Sequence, residues 1–404
     1  MTIGVGGSDI KTELSKLKDM TAGVNPITDA EYKARLEKAC GLMVDNDIEA
    51  IYLNAGSSLT YFTGTSWHAS ERMVGAILTK EGILEYIAPY FEISTLESFM
   101  VVKGPVNGWQ EDESPYDLFA NTLKRLGVVS GKVGVDESAS FFLFDGMRKS
   151  ANTYDYVDAK PVTAGCRMCK SDGEIALMQR AKDMTLEVHK SAAKILKAGM
   201  STTEVTAFIN EAHKAVGAAG SSFCIVLFGE ATAYPHGVKD PQILKDGDMV
   251  LIDMGCKLHG YNSDITRTYV FGTPTERQRK VWNDEKTAQL AAFDAAKIGV
   301  RCGDADIAAR SYLEREGYGP DYAVPGLPHR TGHGIGLDIH EWPYLVRSDD
   351  TPLATGMCFS NEPMICIYGE FGVRLEDHFY MTDNGPKWFT EPSYSIDDPF
   401  GYEA

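Results

Sequence analysis

The chain has 404 residues, 44% of them hydrophobic and 24% charged, which is too long for one ordinary core and is the composition of a soluble globular protein. Its formal net charge of −18 argues against nucleic acid or an anionic membrane surface as a partner. No apolar run approaches the roughly 20 residues that cross a bilayer.

The opening stretch, MTIGVGGSDIKTELSKL, lacks the basic and apolar regions of a secretory signal. The eight cysteines are scattered rather than set out as a disulfide scaffold. A reducing cytoplasm is the expected setting. Residues 1–25 read as a loosely held arm. From Asp29 to Val44 the apolar positions Tyr32, Leu36, Cys40, Leu42 and Met43 predict a helix. A strand at Ala50–Leu53 follows, then a hairpin of Val74–Leu78 with Leu84–Ala88, and a helix at Tyr116–Leu126. A strand at Val133–Asp136 and a helix at Ser138–Ser150 complete an α/β module. Within it, Tyr61 to His68 is aromatic, polar and rich in turn formers, and predicts a loop. Such loops often serve binding, so Trp67 is a candidate substrate contact, with simple packing beneath the loop as the alternative.

The domain boundary falls near Ala164–Lys170, dividing the chain into 1–165 and 166–404. One close cysteine pair, Cys166 with Cys169, lies there. With no second CxxC, free buried thiols are expected over a redox or zinc role. Ser171 and Glu174 form a capping box that opens a helix from Ile175 to about Ala198, stopped by Gly199. Further helices are expected at Thr202–Val216, from the Thr275/Gln278 capping box to about Lys297, and from a cap at Asp304 to Glu316. Strands occupy Phe223–Phe271 and Met357–Met381. Without βαβ alternation the second domain reads as α+β, with helices on antiparallel strands, and its order suggests two similar halves.

The chemistry concentrates in that domain. Val250 to Tyr269 reads as a hairpin, with Gly255 and Gly260 bracketing its turn. A turn centred on Leu258–His259 sets Asp253 directly opposite Asp264, about 5 Å apart at Cβ. Carboxylates that close repel unless a cation lies between them, and an Asp inside Val250-Leu251-Ile252 is hard to explain otherwise. Further on, His329, His333 and His340 stand among glycines. Glu362 ends an apolar strand, and Glu376 follows Arg374 in another. There is no HExxH, which excludes the helix-borne zincin arrangement. Singly, each has a plain explanation as a cap, a strand end or a surface pair. Together they make a set of two Asp, one His and two Glu, suited to Mn²⁺, Co²⁺, Zn²⁺ or Fe²⁺ rather than a cysteine-type zinc. Four carboxylates and a bridging hydroxide nearly neutralise two such ions about 3.5–4 Å apart.

The run from Gly229 to Glu376 resembles the metallopeptidases of the pita-bread fold, which include methionine aminopeptidase, aminopeptidase P and prolidase. The resemblance rests on the Asp-x10-Asp spacing, His333 in its glycine-rich turn, Glu362 before Pro363, and Arg374 two before Glu376. It implies the metal ligands Asp253, Asp264, His333, Glu362 and Glu376. Residues 1–165 resemble, more loosely, the creatinase-type domain that precedes the catalytic domain in the proline-directed members. GCRMCKS and RLEDHFYMT are most similar to bacterial Xaa-Pro dipeptidases. The implied fold is therefore a smaller creatinase-type α/β domain followed by an α+β pita-bread domain.

The resemblance also implies roles. His236 and His340 contact the scissile group, Glu362 doubles as proton shuttle, and Arg374 orders the carboxylates. His329 lies near the leaving proline, and Arg347 is the candidate for the substrate carboxylate. Two departures are Glu230 in place of a usual asparagine, and Ser222-Phe223 where a supporting tyrosine is often found. The implied activity is cleavage of Xaa-Pro dipeptides by a hydroxide bridging two divalent ions, manganese foremost. The implied assembly is a homodimer whose partner copy lends the Tyr61–His68 stretch. Rivals are an aminopeptidase P acting on longer peptides, and a non-peptidase pita-bread enzyme or binding protein. The aromatic tail, Trp388 to Phe400, either walls the cleft or packs on the N-terminal domain.

Overall fold

A computed structural model describes residues 1–403. The chain divides into two compact units, 27–167, and 1–26 together with 168–404. The arm therefore belongs to the second unit, not to the first domain as expected, and it is not loose. Thr2 N donates to Gly272 O at 2.8 Å, Ile3 N to Asp397 O at 2.7 Å and Gly6 N to Ala193 O at 2.9 Å. A short helix, Ile10–Lys16, follows Asp9, whose carboxylate accepts from Thr12 N.

Unit 27–167 is built on one six-stranded sheet. Its order is Val106–Trp109, Leu84–Pro89, Gly75–Thr79, Ile48–Asn54, Lys132–Val135 and Asp155–Asp158. The middle strand Ile48–Asn54, IEAIYLN, is buried along almost its whole length, as expected of a strand covered on both faces. Helix Asp29–Asp45 starts at Thr28, whose hydroxyl accepts from Glu31 N. Helix Pro115–Arg125 seats Phe119 edge-on to Tyr52, with ring centroids 6.0 Å apart. The expected loop is wrong in its first half. Tyr61-Phe62-Thr63 ends a helix, Ser57–Thr63, closed by Gly64 at φ 70°, and burial of Leu59 and Phe62 overrides the turn-forming composition. Trp67 follows and packs edge-on to Phe99 at 6.2 Å.

The second unit is α+β. Helices Asp172–Lys194 and Glu276–Ala295 open with the expected capping boxes, and Thr202–Ala215 has one more, Ser201 with Glu204. The first helix stops at Lys194, and Gly199, at φ 90°, lies in the turn beyond it. The last starts at Cys302 after Arg301. Asp304 is thus in its first turn rather than its cap, and pairs with Arg301 at 2.6 Å. The strands form a three-stranded antiparallel sheet, Ile265–Val270, Met249–Gly255 and Phe223–Phe228, and a five-stranded sheet whose middle is Gly332–Gly334, Cys358–Asn361 and Asp377–Thr382. A ribbon pairs Met364–Ile367 with Phe371–Arg374. Leu251, Trp282, Phe359, Val373 and Phe379 belong to the core that joins helices to sheets. Among the described residues no helix is long and apolar enough to cross a membrane. All eight cysteines are free. The tail packs within its own unit, where Trp388 stacks on Phe293 at 4.1 Å and Phe389 O accepts from Gln179 at 2.6 Å.

Candidate metal centre

The hairpin forms, with a different register. Leu258 pairs with Tyr261, so the turn is His259–Gly260, with φ of 48° and 87°, the pair of positive angles that a two-residue I′ hairpin needs. Asp253 therefore faces Thr266, not Asp264. Moving the turn by one residue moves each partner by two, which keeps the face unchanged, and the two carboxyl groups still meet. Gly255 permits this approach, because a Cβ there would stand 2.0 Å from Ser263 O.

The other donors arrive from the larger sheet. Gly332 closes on Ser360 O, where a Cβ would also stand 2.0 Å away, and this seats His333 opposite the strand that leads to Glu362. His333 N donates to Ser360 Oγ at 2.9 Å, and its Nδ1 faces Gly334 O at 2.9 Å. That contact turns Nε2 toward the acids. His333 Nε2 lies 3.1 Å from Glu362 Oε1 and 3.7 Å from Asp264 Oδ2. Thr266 Oγ1 donates to Glu376 Oε2 at 2.7 Å. Arg374 donates to Asp253 Oδ2 at 2.7 Å, to Pro235 O at 2.9 Å and to Thr266 Oγ1 at 3.2 Å. All five donor residues named from the sequence converge, with Arg374 behind them.

Electrostatics explains why a cation belongs here. Burial pushes Asp264 and Glu376 well above the usual carboxylate range, and repulsion from the neighbouring acids pushes the same way. Burial raises Asp253 too, with the Arg374 charge opposing it. Burial would also raise Glu362, but the hydrogen bond and charge of His333 hold it well below the usual range. Asp253 Oδ1 is buried with no hydrogen-bond partner. Carboxylates that resist ionisation in a closed site, an imidazole nitrogen and an orphaned oxygen together fit divalent cations. Donor atoms of His333, Glu362 and Glu376 lie within 4.8 Å of one another, as do those of Asp264, Glu376 and His378. His378 was not singled out in the sequence. Its Nε2 is 3.4 Å from Glu376 Oε1, and its place two residues after Glu376 was the available signal.

Beside the donors lies a cavity of about 320 Å³, whose lining includes His236, His329, Arg330, His340, Glu362 and Arg374. The His340 ring stands edge-on to His333, centroids 4.2 Å apart. His329 Nδ1 donates to Arg330 O at 2.7 Å, and its Nε2 is buried without a partner. A buried ion pair missed in the sequence fixes this loop. Asp306 Oδ1 accepts from Thr331 N at 3.1 Å and Thr331 Oγ1 at 2.7 Å, while Arg310 donates to Leu327 O at 3.0 Å and to His329 O. Arg347 is not brought in. Its guanidinium engages Asp321 at the surface, because its strand has ended and the chain has turned outward. Trp67 does not line the cavity, nor does the aromatic tail. Glu230 is exposed on the short helix Gly229–Ala233. Ser222 and Phe223 line a separate cavity of about 360 Å³ that shares His340.

Residues 176–383 match the profile of metallopeptidase family M24, and residues 35–169 that of the creatinase/prolidase N-terminal domain. The Xaa-Pro dipeptidase of Pyrococcus furiosus is 32% identical over 360 residues, covering 89% of this chain and 98% of its own. The Xaa-Pro dipeptidase of Pyrococcus horikoshii is 31% identical over 359 residues, 88% of this chain and 97% of its own. Among solved structures, dipeptidase PepE of Mycobacterium ulcerans is similar with a TM-score of 0.84 at 31% identity, covering 91% of this chain and 97% of that one.

Proposed function

The chain belongs to metallopeptidase family M24, and from that premise we propose that it is a metal-dependent hydrolase of Xaa-Pro dipeptides. The observation that carries the proposal is the convergence of the donor residues beside a small cavity, which His333 and Glu362 of the set line and which also presents His236, His329 and His340. Its volume is near the lower end for small-molecule sites, about 300–1,000 Å³. Relatives called Xaa-Pro dipeptidase, matched along nearly their whole length, support the substrate class.

In this reading Asp253 and His333 would each help to hold divalent cations, with Asp264, Glu376 and Glu362 completing the donor set. Bound cations supply Lewis acidity that activates water and a peptide carbonyl near neutral pH, with manganese foremost and cobalt, zinc or iron as alternatives. The protein's own groups do the rest. Glu362, kept ionised beside His333, takes the proton of the attacking water and passes it to the departing proline nitrogen. His340 and His236 donate hydrogen bonds to the carbonyl oxygen as it gains charge. His329 Nε2 has no protein partner and is available to the leaving proline. A proline nitrogen bears no hydrogen, so recognition must come from the groups around the ring rather than from an N–H contact. A cytoplasmic homodimer belongs to the same reading, with Trp67 as a substrate contact lent by the second copy. An unchanged kcat/KM in Trp67→Ala removes that contact.

The test is hydrolysis of Ala-Pro beside Ala-Pro-Ala by chelator-stripped enzyme, with and without Mn²⁺. Metal-dependent cleavage of the dipeptide alone is expected. Cleavage of the tripeptide instead makes the protein an aminopeptidase of the P type, and cleavage of neither defeats the peptidase reading.

A further inference from the structure

Another cavity, of about 520 Å³, shares no lining residue with the one beside the metal donors. One wall is helix Asp172–Lys194, through Asp183, Leu186 and Lys190, and the floor includes Arg267. The rest is the aromatic tail from Trp388 to Gly401. The match to the metallopeptidase family ends at residue 383, so most of this wall lies outside the part of the chain that resembles the family.

Two buried side chains of the lining are incompletely satisfied. Arg267 is 1% exposed. Its Nη1 donates to Thr266 O at 3.1 Å and Glu376 O at 3.0 Å, and its Nη2 to Asp377 Oδ1 at 2.7 Å and Glu391 O at 3.1 Å. Those bonds fix the guanidinium and leave its Nε buried without a partner. Thr390, also buried, keeps Oγ1 without a partner. Unpaired buried polar groups are rare and costly, and arginine has only N–H groups to offer. The missing partner is therefore an acceptor.

The position of the helix adds a charge at the same end. Lys182 Nζ reaches Asn262 O at 3.3 Å and His189 Nε2 lies 2.9 Å from Ile265 O, so the strand runs alongside the helix in the same direction. Arg267, further along, stands at the Lys190 end. Asp183 stands seven residues back, about 10 Å along the axis, where it accepts from Gln179 Nε2 at 2.9 Å. Lys190 gives one N–H to Glu187 at 2.6 Å and has two more. Around this polar end the lining is apolar and flat, with Trp388, Phe389, Phe400, Pro392 and Pro399. Tyr394, 63% exposed, stands at the mouth.

We propose that this cavity is a second binding site, for a small organic carboxylate with a flat apolar body. The carboxylate accepts from Arg267 Nε, Thr390 Oγ1 and Lys190 Nζ, and the body lies among the aromatic and proline side chains. A cationic ligand meets the guanidinium and the ammonium, and a neutral one forgoes the charge assistance. The site requires neither bound metal nor the Xaa-Pro activity.

Calorimetric titration of the full-length protein with phenylacetate tests this, with and without Mn²⁺ and with acetate and phenylacetamide as comparators. Phenylacetate is expected to bind with a Kd of about 1 mM or tighter, equally in metal-loaded and chelator-stripped protein. Acetate lacks the body and phenylacetamide the charge, and each is expected to bind at least about tenfold more weakly. Thr390→Val, which keeps the shape of the side chain, and Lys190→Gln, on the outer part of the helix, are each expected to weaken phenylacetate by about tenfold or more. Absence of saturable binding overturns the proposal. So does binding that disappears with Mn²⁺, which places the carboxylate on the metal centre instead. Equal affinity for phenylacetamide, or unchanged phenylacetate affinity in either variant, overturns it as well.

Discussion

Arg374 and Asp253 form a buried ion pair, Nη2 to Oδ2 at 2.7 Å, that uses one oxygen of the carboxylate and leaves Oδ1 without a partner. The arginine thus aims Asp253 without quenching it. Removing one member of such a pair leaves the other charge buried and uncompensated, at a cost of about 3–5 kcal/mol. Arg374→Met is therefore expected to lower the stability of the metal-free protein by that order. Losing an orienting partner of a ligand typically weakens metal binding by about 10–100-fold. Calorimetric titration with Mn²⁺ and thermal unfolding with and without the ion measure both effects. If Mn²⁺ affinity is unchanged, Arg374 does not order the site.

The acid cluster sets a pH dependence whose sign is fixed. Burial, then mutual repulsion, raises Asp264 and Glu376 well above the usual carboxylate range. The native metal-free protein therefore holds protons that the unfolded chain has released, and unfolding stability has a negative slope with pH. The contribution is full below the unfolded carboxylate range and is lost as pH rises through the elevated native values. Divalent cation removes the reason for those protons. The gap in Tm between metal-loaded and metal-free protein is expected to widen from pH 5 to pH 8. A gap independent of pH would mean that these carboxylates do not carry the metal.

The candidate metal donors stand out in the sequence because each contradicts its surroundings. Asp253 interrupts an apolar strand, His333 stands among glycines, and Glu362 and Glu376 occupy strand ends that burial makes costly for an acid. What was not legible depends on contacts between distant segments or on backbone angles. The hairpin register turned on positive φ at His259 as well as at Gly260; Gly260 favours the observed turn, but a histidine in that region has no mark in the sequence. Arg330 has no local mark, and its setting comes from Tyr344, brought over by strand pairing. The same holds for Asp306, which reaches Thr331 from a helix 25 residues away in sequence. Arg347 was chosen by proximity in the chain, and the chain leaves the site before reaching it. The arm looked loose because its anchors are backbone groups of residues such as Gly272 and Asp397, which no side-chain pattern announces.

Lys182 is fully buried on helix Asp172–Lys194. Its Nζ reaches Asn262 O at 3.3 Å and lies 4.6 Å over the Phe389 ring. Burial pushes its pKa down to about 8 from 10.5, against the pull of neighbouring thiols and of Asp264 and Glu376. Between those two values the unfolded chain binds more protons than the native one, so this lysine makes stability rise with pH across that window. A buried ammonium without a close carboxylate is costly at neutral pH. Lys182→Met is expected to stabilise the protein by about 1–3 kcal/mol at pH 7 and to flatten the rise between pH 8 and 10.5. Chemical denaturation at the two ends of the window checks it, and a destabilised variant would show that the lysine chiefly balances the acids.

His340 separates chemistry from metal binding. Its ring lies edge-on to His333 at 4.2 Å and lines the cavity, while His333 is fixed independently by Ser360 and Gly334 O. Removing His340 should therefore leave the donor set intact and take away a hydrogen bond that matters most when the carbonyl oxygen gains charge. Loss of one such donor typically lowers kcat by about 10²–10³-fold. His340→Ala is expected to show a fall in kcat of that order, KM for Ala-Pro within a few-fold of wild type, and unchanged Mn²⁺ affinity by calorimetry. His340→Gln, which keeps a donor, is expected to recover part of the rate. A variant that binds Mn²⁺ more weakly would assign His340 to the metal site, and a variant with normal kcat would remove it from the reaction.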